Sequence, residues 1–348
     1  MSDYKVYELA EICSRLSSGK GIPASRISIE GDFPVYGGNG LRGYTDQANF
    51  SGECAIIGRQ GAFCGNVRYF KGEAYMTEHA VVVCATPEHN TRYLSYLLST
   101  MNLGRLSGQS AQPGLSVKTL AKQEVKMPSL EIQDRVASIL ALLDEKIELN
   151  KTVNENLEQQ AQAIYCDMFI TNANPSWQLG RLSDLITVRY GKDHKKLADG
   201  IYPVYGSGGI MRYVEKPLYD KESVLIPRKG TLNNVMYVNK PFWSVDTMFF
   251  TEMKLPNVAK FVFHFVKSKD LASLNAGSAV PSMTTDILNA MELPIPDADT
   301  FYKFENIVAP LYQAMQQNTQ ESSKLAELRD SLLPRLMSGE LDVSSIDL

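Results

Sequence analysis

A tandem duplication constrains this chain more than any other feature. Shifting the sequence by 168 residues lays Ser110, Ala111, Pro113, Leu120, Glu124, Pro128, Ile139, Asn150, Leu157 and Met168 on Ser278, Ala279, Pro281, Leu288, Glu292, Pro296, Ile307, Asn318, Leu325 and Leu336. Solenoids repeat every few tens of residues, so a period this long means a duplicated domain. Each copy then needs a core of its own, and the 348 residues supply enough apolar side chains for two.

Each copy ends in a long helical pattern. Ile132, Val136, Ile139, Leu143, Ile147, Val153, Leu157, Ala161, Ile164 and Met168 recur at steps of mostly three or four, which keeps one apolar stripe on one face. The second copy repeats it with Phe301, Phe304, Val308, Leu311, Met315, Asn318, Leu325, Leu328, Leu332 and Leu336. Forty residues of helix span roughly 60 Å, too long for a small domain to cover. The two stripes therefore predict a coiled-coil pair. Asn150 and Asn318 stand at matching seam positions, where they either fix register across the pair or face water. Pro310 replaces Leu142 of the first copy and predicts a kink or interruption in the second helix.

Ahead of each helix lies a turn-rich segment. Glycines 37, 38, 40 and 43 mark a loop between short strands, and apolar runs at 54–58 and 80–85 read as strands. A helix is expected over about 92–101 and a short helix or strand over 117–123. The polar run 171–175 is the linker to the second copy. There Val204-Tyr205-Gly206-Ser207-Gly208-Gly209 answers the first Gly-rich loop, Arg212-Tyr213 answers its Arg and Tyr, and Arg228-Lys229-Gly230 answers Arg59-Gln60-Gly61. The frameworks agree while the loop side chains differ. Two modules that share a scaffold and read different targets would show this, and so would drift after duplication.

The net charge of −4 speaks against nucleic acid until its distribution is examined. Setting aside 131–160 and 297–348 leaves 28 basic and 23 acidic residues. The helices thus carry the acidity and the globular parts are mildly basic, as a phosphate-facing surface requires. Five scattered cysteines without a C-x-x-C pair imply neither a disulfide framework nor zinc. No run of eighteen apolar residues and no signal-peptide pattern occurs, so a soluble cytoplasmic protein with no membrane association is expected.

A catalytic reading finds no site. Ser18-Gly19-Lys20-Gly21 lacks the upstream glycine of a phosphate loop, and no G-x-G-x-x-G opens a helix. The Asn-Pro-Pro-Tyr type of motif of amino-methylating DNA enzymes is missing, since Asn174-Pro175 continues with Ser176-Trp177. Asp246, Glu252 and Lys254 are the nearest approach to a nuclease centre, and the first copy has no counterpart. No catalytic residue and no metal ligand are assigned. The candidate DNA contacts are loop residues: Arg42, Arg59, Gln60, Gln109, Ser110 and Gln112 in the first copy, and Arg212, Arg228, Lys229, Asn233, Asn234 and Ser278 in the second. Arginine is the commonest bidentate reader of guanine, and Asn or Gln of adenine. Lys192, Lys195 and Lys196 suit phosphate.

Together, Pro128-Ser129-Leu130-Glu131-Ile132-Gln133, Trp177-Gln178-Leu179-Gly180-Arg181-Leu182 and the tail Leu328-Arg329-Asp330-Ser331-Leu332-Leu333-Pro334-Arg335-Leu336-Met337-Ser338-Gly339-Glu340-Leu341 resemble the specificity subunit of a type I restriction-modification system, over essentially the whole chain. The resemblance implies an α+β chain of two mixed α/β target recognition domains in tandem, separated by two long antiparallel helices that form a coiled-coil spacer with a pseudo-twofold internal repeat. The domains would be 1–128 and 172–296, and the helical parts 129–171 and 297–348. It further implies that each domain reads half of an asymmetric bipartite sequence in double-stranded DNA. Methyltransferase subunits would dock on the helices, two per chain, and restriction subunits would join them. No cofactor is expected on this chain, because S-adenosylmethionine, ATP and Mg would belong to the partner subunits. The competing expectation is a non-catalytic scaffold whose globular halves bind proteins.

Overall fold

The computed structural model describes residues 4–107, 114–274 and 282–343. It divides into two compact units, Met1–Asn150 with Gln320–Leu348, and Lys151–Thr319. The two long helices each contribute to both units, so a unit is a globular part plus one half of each helix.

In the first unit the strands are β1 (Lys5–Glu8), β2 (Cys13–Ser18), β3 (Phe33–Gly37), β4 (Gly40–Thr45), β5 (Phe50–Gly58), β6 (Val67–Met76) and β7 (Ala80–Ala85). Helix α1 (Thr91–Thr100), the short α2 (Val117–Ala121), β8 (Glu124–Met127) and the long α3 (Leu130–Cys166) follow. A six-stranded sheet runs β2-β7-β5-β6-β3-β4, and β1 pairs antiparallel with β8 beside it. All its pairings are antiparallel except β3 with β6. The runs Ala55-Ile56-Ile57 and Val81-Val82-Val83 are buried, as central strands covered on both faces must be. Asn90 caps α1 by accepting from the Tyr93 amide, which turns Tyr93, Leu94 and Leu98 inward. These pack in one cluster with Ile57 and Val81, with Val136 and Leu140 of α3, and with Leu336 near the chain's end.

The second unit contains β9 (Gln178–Arg181), α4 (Leu182–Leu185), β10 (Ile186–Tyr190), β11 (Tyr202–Gly206), β12 (Gly209–Val214), β13 (Ser223–Pro227), β14 (Met236–Val238), β15 (Trp243–Ser244) and β16 (Met248–Met253). After them come α5 (Ala259–Lys267), α6 (Thr285–Asn289), β17 (Glu292–Ile295) and α7 (Ala298–Ser338). From β7 onward each element starts 168 residues before its partner: Ala80 and Met248, Thr91 and Ala259, Val117 and Thr285, Glu124 and Glu292, Leu130 and Ala298. Here the sheet is broken into β10-β16-β13-β14 and β12-β11-β15. Pro241 lies between β14 and β15, and a proline cannot donate to a ladder, so the long β6 of the first unit becomes two pieces.

The helix seams differ from the expected stripes. Positions 136, 140, 143, 147, 150, 154, 157 and 161 of α3, and 304, 308, 311, 315, 318, 322, 325, 329, 332 and 336 of α7, are all buried or half-buried and alternate steps of four and three. Asn154 and Arg329 therefore hold the places assigned from hydrophobicity to Val153 and Leu328, which stay 37% and 47% exposed. Each polar seam residue has a facing partner. In the first unit Asn150 Nδ2 donates to Glu321 Oε2 at 2.8 Å and Ser322 Oγ at 3.2 Å, and Arg329 Nη1 donates to Asp144 Oδ1 at 2.7 Å. In the second, Asn318 Nδ2 donates to Asn154 Oδ1 at 2.9 Å, and Asn154 donates to the Met315 carbonyl at 3.1 Å. Within each unit rising numbers on α3 meet falling numbers on α7, so the pair is antiparallel. The expected interruption at Pro310 is absent, since α7 runs unbroken through Pro310 and Pro334. Burial of Phe304, Val308 and Tyr312 holds the helix across the lost backbone bond.

Candidate nucleic-acid interface

In each unit the β-hairpin tip meets the turn after a central strand. In the first unit Gly38, at the tip between β3 and β4, lies so close to the turn after β5 that an added Cβ would stand 2.9 Å from the His79 carbonyl and 3.4 Å from the Arg59 nitrogen. That turn is held by two backbone bonds, Arg59 N to His79 O at 2.9 Å and Leu115 N to Arg59 O at 2.8 Å, and Gln60 bridges to Gly114. Arg42, Arg59 and Gln60 are thereby gathered on one end of the domain, with Arg42 and Gln60 exposed and Arg59 half-exposed.

The second unit rebuilds that end with other side chains. Arg228 N bonds to Thr247 O at 2.9 Å, Met283 N bonds to Arg228 O at 2.9 Å, and Lys229 bridges to Ser282. Asn234 Nδ2 donates to the Ser207 carbonyl at 2.8 Å and fastens the β11–β12 tip to the turn. The Arg228 guanidinium lies 5.4 Å from the Tyr190 ring centroid and donates to the Asp246 carbonyl at 3.2 Å. Lys192 reaches the same end because its amide bonds to Ser244 O at 2.8 Å while its carbonyl accepts from Trp243 Nε1 at 2.8 Å.

Other predicted residues are occupied or lie elsewhere. Asn233 is engaged with Asp270 Oδ1 at 3.0 Å and with the Ala272 amide at 3.0 Å, which makes it a brace for that loop. Arg212 pairs with Asp199 at 2.7 Å and donates to the Leu197 carbonyl at 3.0 Å. Lys195 and Lys196 are exposed in the turn just ahead of Leu197. Gln109, Ser110, Gln112 and Ser278 lie outside the described residues.

The structure adds residues that sequence reasoning missed. Gly19 N and Lys20 N bond to Ala80 O and Met76 O, as Gly191 N and Lys192 N do to Met248 O and Ser244 O. Lys20 is therefore the counterpart of Lys192, and it is exposed. The shared Gly-Lys pair was a signal, hidden because its spacing is 172 rather than 168. Arg68 is exposed on β6, its Cζ 3.2 Å from where a Cβ on Gly40 would stand. Burial and Tyr44 push the Tyr36 phenol above its usual range, and the Arg68 charge opposes them. Strand register also corrects one equivalence. Gly40 and Gly209 each face the closing glycine of the preceding strand, which makes Met211 the counterpart of Arg42 and Arg212 the counterpart of Gly43.

The carboxylates weighed as a nuclease centre do not converge. Glu252 pairs with Arg189 at 3.1 Å, and Lys254 Nζ donates to the Ser183 carbonyl at 2.6 Å. Among the described residues no three His, Cys, Asp or Glu side chains are grouped to hold a metal ion, and no helix is long and apolar enough to cross a membrane. Each end instead offers cationic and amide donors on fixed turns, an arrangement suited to phosphates and base edges.

Known proteins share this plan. The family described as the type I restriction modification DNA specificity domain matches residues 1–159 and 174–328. The type I restriction enzyme EcoprrI specificity subunit of Escherichia coli is 46% identical over 112 residues, which are 32% of this chain and 28% of that protein. A putative type I specificity subunit of Mycoplasma pneumoniae is 22% identical over 346 residues, 93% of this chain and 94% of its own. The crystal structure of the type I restriction-modification S subunit from M. genitalium superimposes with a TM-score of 0.64 at 20% identity, covering 96% of both chains, and shows the same fold.

Proposed function

This chain belongs to the type I restriction-modification DNA specificity family, and we propose that each of its units reads one half of an asymmetric, bipartite site in double-stranded DNA and so directs partner methyltransferase and restriction subunits to it. The observation that carries this reading is the matched pair of domain ends. Arg59 and Arg228 are held by the same backbone bonds on the same turn, while the neighbouring side chains differ, Gln60 against Lys229 and Arg42 against Met211. One scaffold presenting two sets of donors suits two unlike half-sites.

The chemistry would be done by the partners. Methyltransferase subunits, two per chain, would dock on the exposed faces of α3 and α7 and bring S-adenosylmethionine. Restriction subunits would bring ATP and Mg. The assembly would act in the cytoplasm, where the host DNA lies. This chain's contribution is positional: Lys20, Lys192, Lys195 and Lys196 face phosphates, and the turn residues face bases.

The test is to purify the chain with the modification subunit of its own operon and sequence methylated sites in host DNA. The expected result is a split, asymmetric motif that loses one half when residues 177–296 are exchanged for those of another such chain. A complex that assembles and methylates without dependence on either globular part would overturn the reading.

A further inference from the structure

The two hairpins share a bulge, and the bulged residue is the sharpest difference between them. In the first unit Val35 faces Gly43 and Tyr36 faces Leu41, so Arg42 has no partner across the hairpin. In the second, Val204 faces Arg212 and Tyr205 faces Ile210, so Met211 has none. A bulge bends the strand and re-aims the extra side chain. Both then run back along the opposite strand to its closing glycine. A Cβ on Gly37 would stand 2.7 Å from Arg42 Cδ, and one on Gly206 would stand 2.5 Å from Met211 Sδ. Any larger residue at either glycine would displace the bulged side chain. The two positions are thus one built place, holding a guanidinium in one unit and a thioether in the other.

Met211 leaves most of its surface to solvent. It is 61% exposed, beside Ile210 at 48% and Tyr213 at 50%. The three lie together on one hairpin, and a cluster of exposed apolar side chains marks a surface that meets a partner. Arg212, the cation next in sequence, is turned away to Asp199 and the Leu197 carbonyl.

We propose that the bulged residues Arg42 and Met211 are specificity-determining positions, Arg42 reading a guanine edge in one half-site and Met211 packing on a thymine methyl group in the other. The proposal rests on the DNA-reading function above. Guanine offers O6 and N7 to a guanidinium fork, whereas the thymine methyl is the apolar group of the major groove. A thioether donates nothing strongly and is soft enough to follow the methyl surface.

The experiment uses the chain assembled with its modification subunit and compares methylated motifs for the wild type, Arg42→Met, Met211→Arg and Met211→Leu. Arg42→Met is expected to lower discrimination at one position of one half-site by about ten- to a hundredfold. Met211→Arg is expected to change preference at one position of the other half-site, and Met211→Leu to keep the wild-type motif. Unaltered motifs in Arg42→Met and Met211→Arg would overturn the proposal. Probes on the wild-type complex need no variant. Replacing thymine by uracil, position by position, should weaken binding several-fold at one place in the second half-site, and 7-deazaguanine should do so at one place in the first. Insensitivity to both probes also overturns it. If the wild-type complex itself shows no sequence-dependent methylation, the DNA-reading function has failed, a result separate from the failure of these two positions.

Discussion

Tyr312 Oη lies 2.9 Å from His264 Nε2, and His264 Nδ1 lies 2.7 Å from Gln162 Oε1. One imidazole thereby joins α7, α5 and α3 within the second unit. With the proton on Nδ1, the ring donates to Gln162 and accepts from the Tyr312 hydroxyl, so the neutral form satisfies both neighbours. Burial first, and the Lys267 charge second, lower its pKa to about 4.

A pH dependence follows, with a definite sign. Between about 6.5 and about 4 the unfolded chain takes up a proton on this histidine that the folded chain refuses. The stability contributed by neutral His264 is therefore intact above that window, declines as pH falls through it and is lost below it. Urea unfolding at about pH 7 and pH 5 should show a drop in the wild type that is smaller in His264→Gln. Parallel drops in both proteins would show that other groups cause the acid sensitivity.

Pro310 is exposed on a helix that continues through it. Its ring removes a donor and crowds the carbonyl one turn back, while its side chain contributes no buried packing. Pro310→Ala should therefore stabilise the protein by about 1–3 kcal/mol, seen as a higher thermal midpoint. A lower midpoint would mean that the proline sets a bend the packing requires.

Lys20 and Lys192 are placed by identical backbone bonds in the two units. If both face phosphates, replacing either by Ala should weaken binding to all duplexes alike. The slope of log affinity against log salt should fall in magnitude by about 1 per lysine, because one fewer counterion is released. A loss that depends on duplex sequence would move these lysines from phosphate to base contact.

The glycine before each lysine permits that placement. A Cβ on Gly19 would stand 2.0 Å from Met76 O, and one on Gly191 would stand 2.0 Å from Val245 O. Gly191→Ala should destabilise the second unit by about 3 kcal/mol or more, since backbone would have to move. Gly208→Ala is the control, because a Cβ there meets nothing within 4 Å. Equal effects from the two would show that lost backbone freedom, not the close approach, decides the outcome.

Elements dominated by local chemistry were legible without coordinates. The run Ala80–Ala85 forms the strand its valines predict, and the helix expected over about 92–101 forms as Thr91–Thr100. The seams were legible only in phase. Choosing the most apolar residue within each turn selected Val153 and Leu328, whereas the facing helix supplies polar partners to Asn154 and Arg329. Those partners lie about 160 to 185 residues away, and nothing local announces them.

By itself the sequence determined the duplication, the two long helices and the family, because a repeat, a 3.6-residue period and a motif-bearing tail are all properties of residue order. Tertiary structure alone decided which loop residues stand together and which side chains correspond. Both hairpins bulge at the same place, so their strand registers correspond position for position, and that shared register matches Arg42 with Met211 instead of Arg212. Neighbouring carboxylates decided the rest: Arg212 is ion-paired to Asp199 and Asn233 is hydrogen-bonded to Asp270, so both are engaged within the domain.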